Sequence, residues 1–108
     1  MFRLDGKIAL VTGASYGIGF AIAKGFAAAG AAIVFNDIKK ELVEQGLKAY
    51  EAEGIKARGY VCDVTNESQV NEMIKIIETE VGIIDILVNN AGVLDTGLAP
   101  IDKFDDVE

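Results

Sequence analysis

The chain has 108 residues, 51% of them hydrophobic, and a formal net charge of −7 from 17 acidic and 10 basic side chains. A chain of this length forms one small domain, and a surface of that sign repels nucleic acid and anionic lipid. The chain has no histidine and Cys62 is its only cysteine, which excludes an intrachain disulfide and a Cys/His zinc cluster.

Strand and helix patterns alternate along the chain. The first apolar run predicts a strand over residues 7–12, which leads through a glycine-rich turn into a helix over residues 17–29. Gly30 is suited to end that helix in a left-handed conformation. A second apolar run over residues 31–36 predicts a buried parallel strand.

The alternation continues through the second half. Residues 39–53 carry apolar side chains at helical spacing and are followed by Gly54, which predicts an amphipathic helix that ends there. A third strand is expected over residues 56–62. An apolar stripe from Val70 to Val81 predicts another helix, and residues 84–88 predict a short fourth strand.

The order β-α-β-α-β-α-β implies a parallel sheet with right-handed crossovers. The sequence therefore predicts an α/β fold, the N-terminal half of a Rossmann-type doubly wound parallel sheet. Residues 1–92 form the nucleotide-binding half-domain in this prediction, and residues 93–108 form a loop and the truncated start of the next helix. Because no apolar run approaches the ~20 residues that span a bilayer and no signal-like segment opens the chain, we expect a cytoplasmic protein without a membrane partner.

The glycine-rich turn has the composition of a phosphate-binding loop. Gly13, Gly17 and Gly19 lie between the first strand and its helix, where bare backbone can approach an anion beside the positive end of the helix dipole. Asp37 follows the second strand, where a carboxylate can accept hydrogen bonds from an adenosine ribose and repels a 2′-phosphate. This pairing predicts NAD as the cofactor and disfavours NADP.

A nucleoside-triphosphate loop would also cradle phosphate with glycine-rich backbone. Such a loop requires Gly-Lys-Ser/Thr, whereas Gly19 is followed by Phe20 and Ala21. The chain therefore offers neither a lysine for a γ-phosphate nor a hydroxyl for magnesium after its last motif glycine.

The sequence Thr-Gly-Ala-Ser-Tyr-Gly-Ile-Gly at residues 12–19 resembles the nucleotide-binding motif of the short-chain dehydrogenase/reductase family. Two further segments are similar to that family in register: Asp63-Val64 after the third strand and Asn-Asn-Ala-Gly at residues 89–92 after the fourth. The resemblance implies an oxidoreductase that uses a nicotinamide dinucleotide. Within the family, residues 7–92 are similar to gluconate 5-dehydrogenases, which implies hydride transfer between the cofactor and a sugar acid or a related alcohol or ketone.

The resemblance also implies a set of cofactor-binding residues along the turn and after the second, third and fourth strands. These residues are Gly13, Ser15, Tyr16, Gly17, Ile18, Gly19, Asp37, Asp63, Val64, Asn90, Ala91 and Gly92. Positions in and beside this set have structural alternatives. Thr12 and Asn89, which lie beside it, could either contact the cofactor or only tie the turn to the fourth strand by hydrogen bonds, and Asp63 could simply turn the chain after its strand. Cys62 is expected to be a buried core residue.

No catalytic residue is identified in the chain. The family places a Tyr-x-x-x-Lys pair with a Ser and an Asn downstream of the cofactor motifs, but no tyrosine here has a lysine four positions later. The 108 residues are therefore expected to bind NAD without catalysing a reaction. The complete enzyme would be a homo-oligomer, either a dimer or a tetramer, that acts on a small alcohol or ketone.

Two other classes of protein stay open at this point. One is a stand-alone nucleotide-binding module without catalysis. The other is an assembly partner, because a four-stranded half-sheet leaves an open apolar flank and edge. A gene that continues into a Ser and a Tyr-x-x-x-Lys would support the enzyme, and a well-folded monomer in size-exclusion chromatography would argue against the assembly partner.

Overall fold

The computed structural model describes residues 3–91 and confirms the predicted order of elements. The strands are β1 (Ile8–Thr12), β2 (Ala32–Asp37), β3 (Ala57–Val61) and β4 (Ile86–Val88). The helices are α1 (Gly17–Ala28), α2 (Lys40–Ala52) and α3 (Glu67–Glu80). Gly92 and the predicted loop and helix start at residues 93–108 lie outside the described residues.

The described strands form one parallel sheet in the order β3-β2-β1-β4. Three successive strands add to one side of the sheet, and β4 then pairs on the other side of β1. This is the Rossmann-type arrangement that the sequence predicts. None of the described helices is long and apolar enough to cross a membrane.

Hydrophobic packing covers both faces of this sheet. On one face, Ala9 and Phe35 pack with residues of α1 and α2 that include the buried Tyr50. On the other face, Leu10 belongs to a second cluster that includes Ile77 of α3. Successive side chains of a strand point to opposite faces, so the near-continuous apolar runs of β1 and β2 follow from burial on both faces.

Glycines end α1 and α2 by the same mechanism. Gly30 has φ +105° and donates its N–H to the Ala27 carbonyl, and Gly54 has φ +76° and donates to the Glu51 carbonyl. The residue after each glycine bonds one carbonyl further back, which completes a Schellman motif. Residues 29 and 53 serve as the caps of these motifs, so each helix ends one residue before its predicted limit.

The fourth strand begins two residues later than predicted because Asp85 occupies the start of the ladder. The Asp85 N–H donates to the Ile8 carbonyl at 2.9 Å, and the Ile8 N–H donates to Asp85 Oδ2 at 2.8 Å. A side chain thus replaces a backbone acceptor at this end of the β1–β4 pair. Ile84 packs against the cluster on the α3 face instead of extending the strand.

Alanine substitutions at Gly54 and Gly25 separate backbone strain from crowding, because a Cβ at either position meets no atom within 4 Å. Gly54→Ala places an L residue in the left-handed region and is expected to lower the free energy of unfolding by about 1–2 kcal/mol. Gly25 lies in the interior of α1 without a positive φ. Gly25→Ala is therefore expected to raise the free energy of unfolding by about 0.5–1 kcal/mol. Urea unfolding measures both changes, and effects of equal sign would contradict the backbone explanation.

Candidate functional site

A cleft of about 150 Å³ opens where the four strands end. It is lined by residues that end or follow each strand: Gly13 after β1, Asp37 at the end of β2, Asp63 after β3 and Asn90 after β4. The carboxyl ends of parallel strands meet at one edge of the sheet. Doubly wound sheets bind ligands in the crevice at this edge, near the point where the strand order reverses.

The structure brings many of the expected site residues to this cleft. The expected residues that line it are Gly13, Tyr16, Asp37, Asp63, Val64, Asn90 and Ala91. The other lining residues are Asn36, Ile38, Cys62 and Thr65. The expected residues that belong to the turn and the start of α1 without lining the cleft are Ser15, Gly17, Ile18 and Gly19. Gly92 lies outside the described residues.

The three motif glycines are required for different reasons. A Cβ at Gly13 would lie 2.9 Å from the Ala91 Cα, and a Cβ at Gly19 would lie 2.6 Å from Asn90 Nδ2. These two glycines let the turn pack directly against the segment after β4. Gly17 has φ +68° and open space around its missing side chain. Its requirement is therefore the backbone conformation alone.

Thr12 joins the turn to the segment after β4. Its buried Oγ1 accepts the N–H groups of Asn90 at 2.8 Å and Ala91 at 3.0 Å, and lies 3.3 Å from Asn89 Oδ1, to which it can donate. The Asn90 side chain adds a hydrogen bond from Nδ2 to the Gly13 carbonyl at 3.2 Å. Thr12 and Asn89 thus make the structural tie that was one of their two alternatives.

Two buried polar side chains that the sequence did not single out form hydrogen bonds to the backbone of the turn. Asn36 Oδ1 accepts the Gly13 N–H at 3.3 Å, while its Nδ2 donates to the Cys62 carbonyl at 2.9 Å. The Tyr50 hydroxyl donates to the Ala14 carbonyl at 2.7 Å. Asn36 could have been noticed as an amide at the end of an apolar run, whereas Tyr50 lies in an apolar helical stripe that gives no such signal.

The Asp37 carboxylate is anchored by backbone amides at the edge of the cleft. Its Oδ2 accepts the Ser15 N–H at 3.4 Å, and its Oδ1 accepts the Ile38 N–H at 3.0 Å. Asp37 is half-buried, so the anchored carboxylate still faces the space that the cleft provides.

The start of α1 suits an anion. Its N-cap residue, Tyr16, makes no side-chain cap, and the first turn of α1 carries no acidic residue. In α3, by contrast, the Asn66 side chain accepts the Gln69 N–H. The Ser15 hydroxyl is buried and has no hydrogen-bond partner among the described residues. Uncapped amides and an unpartnered hydroxyl at a helix N-terminus fit a phosphate group.

The residues after β3 stabilise the local turn and also line the cleft. Asp63 Oδ1 accepts the hydroxyl of Thr65 at 2.7 Å and its N–H at 3.0 Å, and these hydrogen bonds lower the pKa of the Asp63 carboxyl. Asp63 therefore turns the chain after β3 while it lines the cleft. Cys62 is buried in the α3-side cluster as expected, and burial raises the pKa of its thiol.

Four parallel strands, crossover helices on both faces and a glycine turn at the carboxyl edge define a nucleotide-binding α/β domain of the Rossmann type. A family model described as short chain dehydrogenase matches residues 7–108. The chain therefore belongs to the short-chain dehydrogenase family.

Several members with similar sequences are named as dehydrogenases or reductases of sugar acids. The chain is 48% identical over 95 residues to a 2-dehydro-3-deoxy-D-gluconate 5-dehydrogenase of Formosa agariphila, a match that covers 87% of this chain and 36% of that protein. The crystal structure of 2-keto-3-deoxy-D-gluconate dehydrogenase from Streptococcus agalactiae matches with a TM-score of 0.83 and 58% identity, covering 97% of this chain and 42% of the other.

A second solved structure carries a cofactor. The gluconate 5-dehydrogenase from Burkholderia cenocepacia in complex with NADP and tartrate matches with a TM-score of 0.75 and 48% identity, covering 82% of this chain and 35% of the other. These similarities support a nicotinamide dinucleotide as the class of ligand. The NADP in that complex gives no support to the expected NAD preference, which stays a prediction. The chain spans well under half the length of each of these relatives.

Replacing Thr12 by valine tests the tie between the turn and the segment after β4. Valine keeps the shape of the side chain but leaves the N–H groups of Asn90 and Ala91 without the Oγ1 acceptor. We expect the free energy of unfolding to fall by about 1–3 kcal/mol in urea denaturation. Thr12→Ser keeps the hydroxyl and is the control, with an expected loss of about 1 kcal/mol or less from the missing methyl. A serine variant less stable than the valine variant would show that the hydroxyl is not what holds the two segments.

Proposed function

We propose that this chain is the cofactor-binding part of an NAD-dependent short-chain oxidoreductase, with residues 1–92 as its nucleotide-binding half-domain and residues 93–108 as a connection toward the next helix. The observation that carries the proposal is the cleft at the carboxyl edge, where the turn after β1 and the segments after the other strands converge. A bound nicotinamide dinucleotide would supply the hydride acceptor or donor. The residues of this chain would bind and orient it.

We propose a separate group of contact residues for each part of the dinucleotide. The pyrophosphate and its ribose would lie against the start of α1, at Gly13, Ser15, Tyr16, Gly17, Ile18 and Gly19. The adenosine ribose would bind Asp37, and the adenine would lie beside Asp63 and Val64. The inner ribose would lie beside Asn90, Ala91 and Gly92. The uncapped start of α1 and the unpartnered Ser15 hydroxyl support the first of these assignments.

In this proposal Asp37 selects NAD over NADP. Its carboxylate accepts the N–H of Ile38 at 3.0 Å and the N–H of Ser15 at 3.4 Å, and both bonds favour its position at the edge of the cleft. A ribose with free hydroxyls can donate hydrogen bonds to this carboxylate, whereas a 2′-phosphate brings a second negative charge close to it. The preference follows from the charge of Asp37 and from its anchoring.

Titration of the protein with NAD and NADP, before and after Asp37→Ala, tests this assignment. We expect the wild type to bind NAD more tightly, and the variant to lose about ten- to hundredfold in NAD affinity because charged hydrogen bonds to the ribose are lost. NADP affinity should stay equal or rise. Glu78→Ala is the control, since it removes the same charge from the exposed C-terminal part of α3. Equal affinity for both dinucleotides before and after Asp37→Ala would show that Asp37 does not select NAD over NADP.

The substrate proposal rests on the similar relatives, whose names describe dehydrogenases of gluconate and of keto-deoxygluconate. We propose a sugar acid or a related alcohol or ketone as the substrate. Hydride transfer to a carbonyl needs a proton donor, and this chain contains no Tyr-x-x-x-Lys. The proposal places that donor in the part of the relatives' length that the chain does not span. The cytoplasmic location and the homo-oligomeric state stay predictions.

An activity measurement tests the enzyme proposal. The product of the complete reading frame is expected to oxidise NADH in the presence of 5-keto-gluconate. The reaction is measured as the loss of absorbance of the reduced nicotinamide. The 108-residue chain alone is expected to bind the dinucleotide without turnover, because it lacks the proton donor. A reading frame that stops after Glu108, with dinucleotide binding intact, would contradict the enzyme and support the non-catalytic module.

A further inference from the structure

The peptide group between Ala14 and Ser15 is held at both of its ends. Its carbonyl oxygen accepts the Tyr50 hydroxyl at 2.7 Å, and its N–H donates to Asp37 Oδ2 at 3.4 Å. The carbonyl and the N–H of one peptide group point in fixed, opposite directions because the peptide bond is planar. The hydrogen bond that orients the carbonyl therefore also orients the N–H that anchors Asp37.

Tyr50 is held in one position by its surroundings. Its side chain is fully buried, and its ring centroid lies 4.5 Å from that of Phe20 and 5.0 Å from that of Phe35. Burial raises the pKa of the Tyr50 phenol, so its hydroxyl stays protonated and remains a donor at neutral pH. The Tyr50 hydroxyl that donates to the Ala14 carbonyl is therefore held in one position and stays protonated.

The backbone of α2 supports the same turn one helical turn before Tyr50. Gly46 and Tyr50 are four residues apart and share a helix face. A Cβ at Gly46 would lie 2.9 Å from the Ser15 Cα, so this part of α2 packs directly against the turn. Helix α2 therefore touches the peptide group on its Ser15 side through Gly46 and on its Ala14 side through Tyr50.

We infer that Tyr50 is a positioning residue that helps to set the preference between NAD and NADP by orienting the Ala14–Ser15 peptide and, through it, Asp37. The inference rests on the proposed function, in which Asp37 binds the adenosine ribose. A hydrogen bond to a carbonyl polarises its peptide group and strengthens the N–H as a donor. Without the Tyr50 hydroxyl, the Ser15 N–H holds the Asp37 carboxylate less firmly.

The first measurement of Tyr50→Phe needs no ligand. Phenylalanine removes one oxygen atom and keeps the ring, and we expect the Ser15 amide resonance to shift and its hydrogen exchange to become roughly three- to tenfold faster. Tyr60→Phe is the control, because it removes a hydroxyl that donates to Glu80 at 2.9 Å on the edge strand β3. An unchanged Ser15 amide in Tyr50→Phe, or an equal change in Tyr60→Phe, would overturn the inference whatever the protein binds.

The second measurement compares the Kd values for NAD and NADP. Tyr50→Phe is expected to weaken NAD binding by about three- to tenfold and to change the NADP affinity by less than about twofold, so the ratio of the two constants falls. Ile77→Val, which trims the core on the other face of the sheet, shows what lost stability alone does to both constants. Equal weakening of both ligands by Tyr50→Phe means a purely structural role and overturns the inference. A wild type that binds neither dinucleotide overturns the proposed function, while the amide measurement still decides whether Tyr50 orients the peptide.

Discussion

The close contact between the glycine turn and the segment after β4 determines the shape of the site. Thr12 accepts two backbone N–H groups from residues 78 and 79 positions later in the chain. A Cβ at Gly13 would collide with Ala91, and a Cβ at Gly19 would collide with the Asn90 side chain. The side of the cleft formed by Gly13, Asn90 and Ala91 therefore depends on two glycines and one hydroxyl group.

The sequence predicts most of the fold because the patterns are local. Alternating apolar runs and helical stripes specify the elements and their order, and the glycines after α1 and α2 specify where these helices end. The observed and predicted bounds differ by a residue or two at element ends. At the C-terminal ends of α1 and α2 the capping motifs set these bounds. The late start of β4 depends on the Asp85 side chain bonding Ile8, which is a contact between distant residues that no local pattern contains.

The site was predictable where a motif is contiguous and not where it is assembled by the fold. The turn and Asp37 could be recognised along the chain, and the structure places Asp37 at the cleft. Asn36 stands out only as an amide at the end of an apolar run, and the hydrogen bonds of Asn36 and Tyr50 could not be assigned from the sequence because their partners lie 23 to 36 residues away. The carboxylate of Asp63 had two alternatives, and its bonds to Thr65 show that it turns the chain while it borders the cleft.

The strand order has a consequence for a chain that emerges from a ribosome. The first three strands can pair as soon as each is made, because β2 joins β1 and β3 joins β2 in succession. The other side of β1 stays unpaired until β4 forms, and this pairing closes the longest loop in the sheet at the largest cost in loop-closure entropy. During synthesis the lining of the cleft is therefore incomplete until Asn90 and Ala91, which follow β4, have left the exit tunnel.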